Sequence, residues 1–177
     1  MLHIMGNEEG KFPAEGGYLA INQEIANVCI RLEYKWGVKR HAPRYAPKRD
    51  NGLLYGPTCR RSAGCRNRAG RRRCTRRRCR LRSGRGARCD AARGTDHRLL
   101  HQGWQLELLD QWNTIEVIWQ GDRAAHIVNG RTVNLATRLQ QPDPQNPGQF
   151  IPLTRGKIAI EIEYAEIWFR RIEVKAI

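Results

Sequence analysis

The sequence predicts an all-β protein, a sandwich of two antiparallel sheets. Three observations carry that expectation. Residues 27–36 alternate strictly, with Val28, Ile30, Leu32, Tyr34 and Trp36 on one parity and Asn27, Cys29, Arg31, Glu33 and Lys35 on the other. A period of two is the mark of a strand with one buried face. Asn129-Gly130 sits between two apolar runs, and such a pair favours the hairpin turn that needs positive φ at both central residues. No segment outside residues 58–98 sustains a helical period, so packed sheets are the natural class.

Taken in order, residues 2–5 form a short apolar strand and residues 18–21 another after Gly16-Gly17. Residues 27–36 are the strongest strand. A Pro-rich and cation-rich loop follows through Asp50, and residues 51–55 return as a strand. In the second half, residues 112–120 place Ile115, Val117 and Trp119 on one face. Residues 123–128 and 131–136 flank the Asn-Gly turn. With a two-residue turn, His126 shares a face with Ala124, Val128, Val133 and Leu135. Residues 140–148 hold three prolines and read as a loop, because Pro cannot donate to a ladder. Residues 157–162 and 166–176 are the last strands. Val28, Ile30, Leu32, Val117, Ile127 and Ile160 are the expected core.

Composition divides the chain unevenly. Of 177 residues, 32 are Lys or Arg and 17 are Asp or Glu, a formal charge of +15. Residues 58–98 hold 16 Arg, no Lys, and only Asp90 and Asp96 as acids, a net +14. The remainder is nearly neutral. The excess is therefore not a property of the whole surface, which excludes a protein that is basic throughout. No apolar run reaches membrane-spanning length, and residues 1–9 show no signal-peptide pattern. Five of the six cysteines lie in the Arg-rich segment, without the C-x-x-C spacing of a zinc site.

Leu81 is the only large aliphatic of residues 58–98. Such text buries too little apolar surface to offset the entropy of ordering it, so the segment is expected to be irregular. An Arg-rich nucleic-acid arm is one reading. Arms of that kind usually mix in Lys and stacking aromatics, and this one mixes Arg with Cys, Gly and Ala. Those four share GC-rich codons, so the segment reads as the out-of-frame translation of a GC-rich stretch. A disordered basic insert and a metal or disulfide module are the other readings. No specific nucleic-acid partner is expected.

The pieces Cys29-Ile30-Arg31-Leu32-Glu33-Tyr34-Lys35-Trp36-Gly37 and Lys48-Arg49-Asp50-Asn51-Gly52-Leu53-Leu54-Tyr55 resemble the 3-keto-disaccharide hydrolase family. So do Trp112-Asn113-Thr114-Ile115-Glu116-Val117, His126-Ile127-Val128-Asn129-Gly130 with Val133-Asn134, and Pro152-Leu153-Thr154-Arg155-Gly156-Lys157-Ile158-Ala159. The closing stretch from Glu166 to Val174 resembles the last strand of the family. The resemblance covers about two-thirds of the chain, in the family's order. It implies a concanavalin A-like jelly roll, one domain over 1–177 interrupted by 58–98. It also implies cleavage of glycosides oxidised at C3, and a place outside the cytoplasm.

Two departures stand out. Family members begin with a further stretch before the piece matching residues 2–5, so Met1 reads as an internal methionine. Where members carry a Glu- and Gln-rich strand, this chain has Arg-rich text, which implies an impaired copy.

A 3-keto group acidifies C2–H, so the reaction calls for a base, a cation or metal at the keto oxygen, and an acid near the leaving oxygen. A divalent metal is compatible with that need, and the sequence does not specify one. On the polar face of residues 27–36, Glu33 is a candidate base or metal ligand and Lys35 a candidate substrate contact. The alternative is a solvated face with cross-strand ion pairs. Arg49, Asp50 and Asn51 stand where a loop enters a strand. Asp50 is the second candidate catalytic carboxylate, and Arg49 and Asn51 are candidate sugar ligands; a plain turn is the competing reading. His126 is a candidate sugar contact or a packed core histidine. Tyr34 and Trp36 belong to the core first and to a sugar platform second. A non-catalytic carbohydrate-binding sandwich shares all of these features except the base.

Overall fold

The computed structural model describes residues 1–6, 17–42, 49, 51–56, 79–82, 88–89, 96–99, 106–162 and 164–177; for 79–82, 88–89, 96–99 and 162 only the backbone is described. Its strands are β1 (Leu2–Ile4), β2 (Gly17–Ala20), β3 (Val28–Arg40), β4 (Gly52–Tyr55), β5 (Cys79–Arg82), β6 (Arg88–Cys89) and β7 (Asp96–Leu99). The second half supplies β8 (Asn113–Gln120), β9 (Arg123–Val128), β10 (Arg131–Thr137), β11 (Gln140–Pro142), β12 (Phe150–Pro152), β13 (Ile158–Ile162) and β14 (Ala165–Ala176). They form a seven-stranded sheet in the order β1-β14-β3-β8-β9-β10-β7, a five-stranded sheet in the order β2-β13-β4-β5-β6, and the small β11-β12 hairpin. Every strand pairing is antiparallel. The fold is an all-β jelly-roll sandwich.

The core lies between the two larger sheets. Val28, Ile30, Leu32, Val117 and Trp119 come from one side, and Leu53, Tyr55, Ile158 and Ile160 from the other. The alternation read in residues 27–36 is the inward face of β3, with Ile30, Leu32 and Tyr34 fully buried. Tyr55 ties the layers together. Its ring tilts against Trp119 at 5.3 Å, and its hydroxyl meets His126 Nε2 at 2.6 Å.

Several expectations change. Strand β3 runs to Arg40, where a loop was expected, because Ala165 of β14 pairs with Arg40 and Glu166 accepts from the amides of Val38 and Lys39. Residues 140–142 are a strand, not the start of a loop; β11 pairs β12 at the sheet margin, where Pro142 is tolerated. Leu135 points outward, contrary to the predicted shared face with His126. A register shift between Thr132 and Asn134 inserts one residue, so Val133 and Asn134 are both buried and the parity reverses beyond them. Ile127 is only half-buried, since Ala124, His126 and Val128 take the inward parity of β9.

The Arg-rich segment was expected to be irregular or poorly packed; its described parts include β5, β6 and most of β7. β5 extends β4 and β7 extends β10. A ladder is made by backbone groups and asks little of side chains. In the β4–β5 register, Leu81 stands opposite the core residue Leu53. The rest of 58–98 lies outside the described residues.

Candidate functional site

The sequence-predicted residues fall in three places. Glu33 and Lys35 lie on the outward face of the seven-stranded sheet. Glu33 is 8% exposed and accepts from Arg170 Nε at 2.6 Å and Arg171 Nη1 at 2.9 Å. Consecutive strand residues normally point to opposite faces. Here the register shifts between Arg170 and Glu173, and Arg171 takes φ 48°, so both guanidinium groups reach one carboxylate. The Arg170 hydrogen bond, assisted by Arg171 and opposed by burial, holds the Glu33 carboxyl below the usual glutamate range. A carboxylate with both oxygens on guanidinium groups is a firm anion and a weak proton acceptor.

Arg49 and Asn51 flank the entry to β4. Arg49 Nη2 donates to Gly37 O at 3.0 Å, and its guanidinium carbon sits 5.6 Å from the Trp36 ring centre. Burial, with Arg40 nearby, lowers the Arg49 pKa; Asp110 and Glu107 oppose that shift. Next to it, Tyr34 donates its hydroxyl to Glu107 at 2.6 Å, and burial followed by the Glu107 charge pushes the phenol well above its ordinary value. Asn51 Nδ2 donates to Ala165 O at 2.9 Å, a buried tie between the two sheets. Asp50 lies outside the described residues.

His126 is fully buried between the sheets, against the Tyr55 hydroxyl and 3.4 Å from Asn134 Nδ2. So Glu33 and Lys35 share one outward face, Arg49 and Asn51 reach Gly37 and Ala165 separately, and His126 lies between the sheets.

A further carboxylate escaped the sequence reading. In β13, Ile158 and Ile160 face the core, so Ala159 and Glu161 take the outward parity. Glu161 is 1% exposed. It stands in register with Tyr18 of β2 on one side and Gly52 of β4 on the other. Gly52 offers no side chain at that level. The signal was present in Ile-Ala-Ile-Glu-Ile, where one charge interrupts an apolar strand. The run Arg49-Asp50-Asn51 enters the sheet immediately before Gly52. Among the described residues, no three His, Cys, Asp or Glu side chains gather as a metal ion would need.

The family model of the 3-keto-alpha-glucoside-1,2-lyase-like domain matches residues 2–175. No curated protein sequence matches the chain. Among solved structures, one from Parabacteroides distasonis ATCC 8503, provisionally named a glycosyl hydrolase, superposes with a TM-score of 0.57 at 12% identity, covering 92% of this chain and 84% of its own. A second provisionally named glycosyl hydrolase from the same organism gives 0.55 at 12% identity, covering 89% and 75%. The carbohydrate-binding module CBM66 from Bacillus subtilis gives 0.52 at 6% identity, covering 93% and 84%. At these identities the structural likeness establishes the fold alone.

Proposed function

The chain belongs to the 3-keto-alpha-glucoside-1,2-lyase-like family, and we propose that it acts on glycosides oxidised at C3, at the Glu161 row of the five-stranded sheet. The observation that carries this reading is a carboxylate 1% exposed on an outward sheet face, in register with a glycine. In this scheme Glu161 takes the C2 proton and Arg49 steadies the negative charge that grows on the C3 oxygen. The C1–O bond then breaks with its electron pair on the leaving oxygen, which is protonated; Asp50 is the acid the family resemblance suggests. Water adds across the C1–C2 double bond to give the free 3-keto sugar. The scheme places this work outside the cytoplasm, as the resemblance implies.

Glu33 is the competing base, and the two assignments make opposite predictions. Turnover of a 3-keto-glucoside is measured for the chain and for Glu161→Gln and Glu33→Gln. Loss of at least about 100-fold in kcat for Glu161→Gln alone supports the present assignment, in line with the usual weight of a general base. Loss for Glu33→Gln alone transfers the role. The likeness to a carbohydrate-binding module favours a second reading, binding without cleavage. Saturable sugar binding with no turnover, in this chain and in a version whose residues 58–98 are restored to the alternative frame, would establish that reading instead.

A further inference from the structure

We propose that the outward face of the seven-stranded sheet is a second carbohydrate site, built for an acidic oligosaccharide. It is independent of the Glu161 reading and lies on the other sheet.

The register aligns three side chains across three neighbouring strands, with Trp112, the residue before β8, beside them. His3 of β1 pairs with Trp168 of β14, and Trp168 pairs with Lys35 of β3. Tyr34 pairs with Asn113 of β8, so Lys35 stands beside Trp112 one step further on. All share the parity of Glu33, which faces away from the core. Trp168 and Trp112 are thus two strand spacings apart, about 10 Å, with a lysine between them. That separation is comparable to two pyranose rings laid end to end.

Both indoles are half-exposed and held on one side by a cationic or titratable partner. The His3 ring stacks on Trp168 at 4.3 Å with an interplanar angle of 10°. The Arg170 guanidinium lies 3.8 Å from the Trp112 ring centre. Braced aromatic rings offer flat area at little entropic cost, a property that recurs in recognition surfaces. The ring partners also fix the site chemically. Arg170 is itself positioned by Glu33.

Charge selects the ligand. Lys35, Arg170 and Arg171 share this face with two carboxylates, Glu33 and, at the His3 end, Glu166, which leaves one net positive charge beside the indoles. Glu33 is consumed by Arg170 and Arg171. Among the described residues, Lys35 has neither an ion-pair nor a hydrogen-bond partner. An ammonium group standing between two aromatic platforms fits a sugar chain that carries carboxylates, such as a uronic-acid oligomer. The next row sets Arg31 between Glu116, at 3.8 Å, and Glu173 in register, so its cation is spent and the unpaired positive charge is confined to Lys35.

The probe is trigalacturonate, with maltotriose as the neutral control, titrated into the full chain by calorimetry. Trp112→Ala, Lys35→Glu and Glu161→Gln are compared, each checked for native circular dichroism. The expected result is saturable trigalacturonate binding, weakened at least 10-fold by Trp112→Ala and by Lys35→Glu, unchanged by Glu161→Gln, and absent for maltotriose. Lys35 is half-exposed on a strand surface, so Lys35→Glu keeps the test open should Trp112→Ala fail to fold. Binding that persists in both variants belongs to the Arg-rich segment and overturns the proposal, as does no binding. Equal binding of maltotriose overturns the role given to charge.

Discussion

Asn129 donates from Nδ2 to Asn113 Oδ1 at 2.9 Å, tying the tip of the β9–β10 hairpin to the start of β8. Asn129 also accepts from the Thr114 amide at 2.8 Å and donates to Leu106 O at 2.7 Å, while Asn113 closes on Leu108 in both directions. The turn residues have φ 47° and 77°, as the hairpin requires. One asparagine therefore serves as turn former and as a three-way bracket.

Replacing it removes both functions. Asn129→Ala is expected to cost about 2–3 kcal/mol, the sum of lost partners and a strained backbone. Urea unfolding measures it. A double-mutant cycle with Asn113→Ala should show coupling above about 0.5 kcal/mol, as contacting residues do. Additive losses would mean that the pair is incidental.

Gly37 is enforced by Glu166. A Cβ at Gly37 would overlap the Glu166 side chain, which cannot swing away because it holds the Val38 and Lys39 amides at 3.1 Å and His3 at 2.9 Å. Gly37→Ala should destabilise the domain by about 1–3 kcal/mol, the usual range for overpacking. Ala at Gly130, with open space around it, tests turn strain instead of packing. An unaltered melting temperature for Gly37→Ala would show that Glu166 yields.

Acid should unfold the sandwich through Glu33 and Glu166. Burial pushes Glu166 up, but the Lys39 amide and His3 outweigh it and hold the carboxyl below 4.5. Glu33 is held below the same value by Arg170. A depressed folded-state pKa gives stability that is present above the unfolded value and lost as pH falls through the folded one. Chemical denaturation between pH 7 and pH 3 should show a decline below about 4.5, and Glu166→Gln should flatten it. An equal slope in the variant would place the acid sensitivity elsewhere.

Tyr55→Phe removes the hydroxyl that meets His126 inside the core. Leaving a buried polar group without that partner is expected to cost about 1–3 kcal/mol. His126→Leu should cost no more than Tyr55→Phe if the pair is only structural. Thermal unfolding of both variants decides this.

The nucleotide sequence across codons 55–105 tests the origin of the Arg-rich segment. In the alternative frame it should encode alternating apolar and polar residues, with a Glu and an Asp-Gly or Gly-Asp pair. A version restored to that frame should turn over a 3-keto-glucoside faster than this chain. Equal rates would mean that residues 58–98 carry none of the site.

The amino-acid pattern alone establishes the strands and the sandwich class, because a buried face writes its own period into the residues: Val28 through Trp36, Ile115 through Trp119, and Asn129-Gly130 between two apolar runs. It did not determine what breaks that period. The extra residue at Val133 that turns Leu135 outward, and the left-handed Arg171 that brings two guanidinium groups onto Glu33, arise from pairing with neighbouring strands. Nor did it assign the polar faces to sites. Alternation says that Glu33, Lys35 and Glu161 avoid the core, but register decides their company. Only the pairing of β13 with β4 sets Glu161 opposite Gly52, and only β14 beside β3 brings Trp168 to Lys35. Local periodicity is set by each strand's own burial, whereas a site is made where distant strands meet.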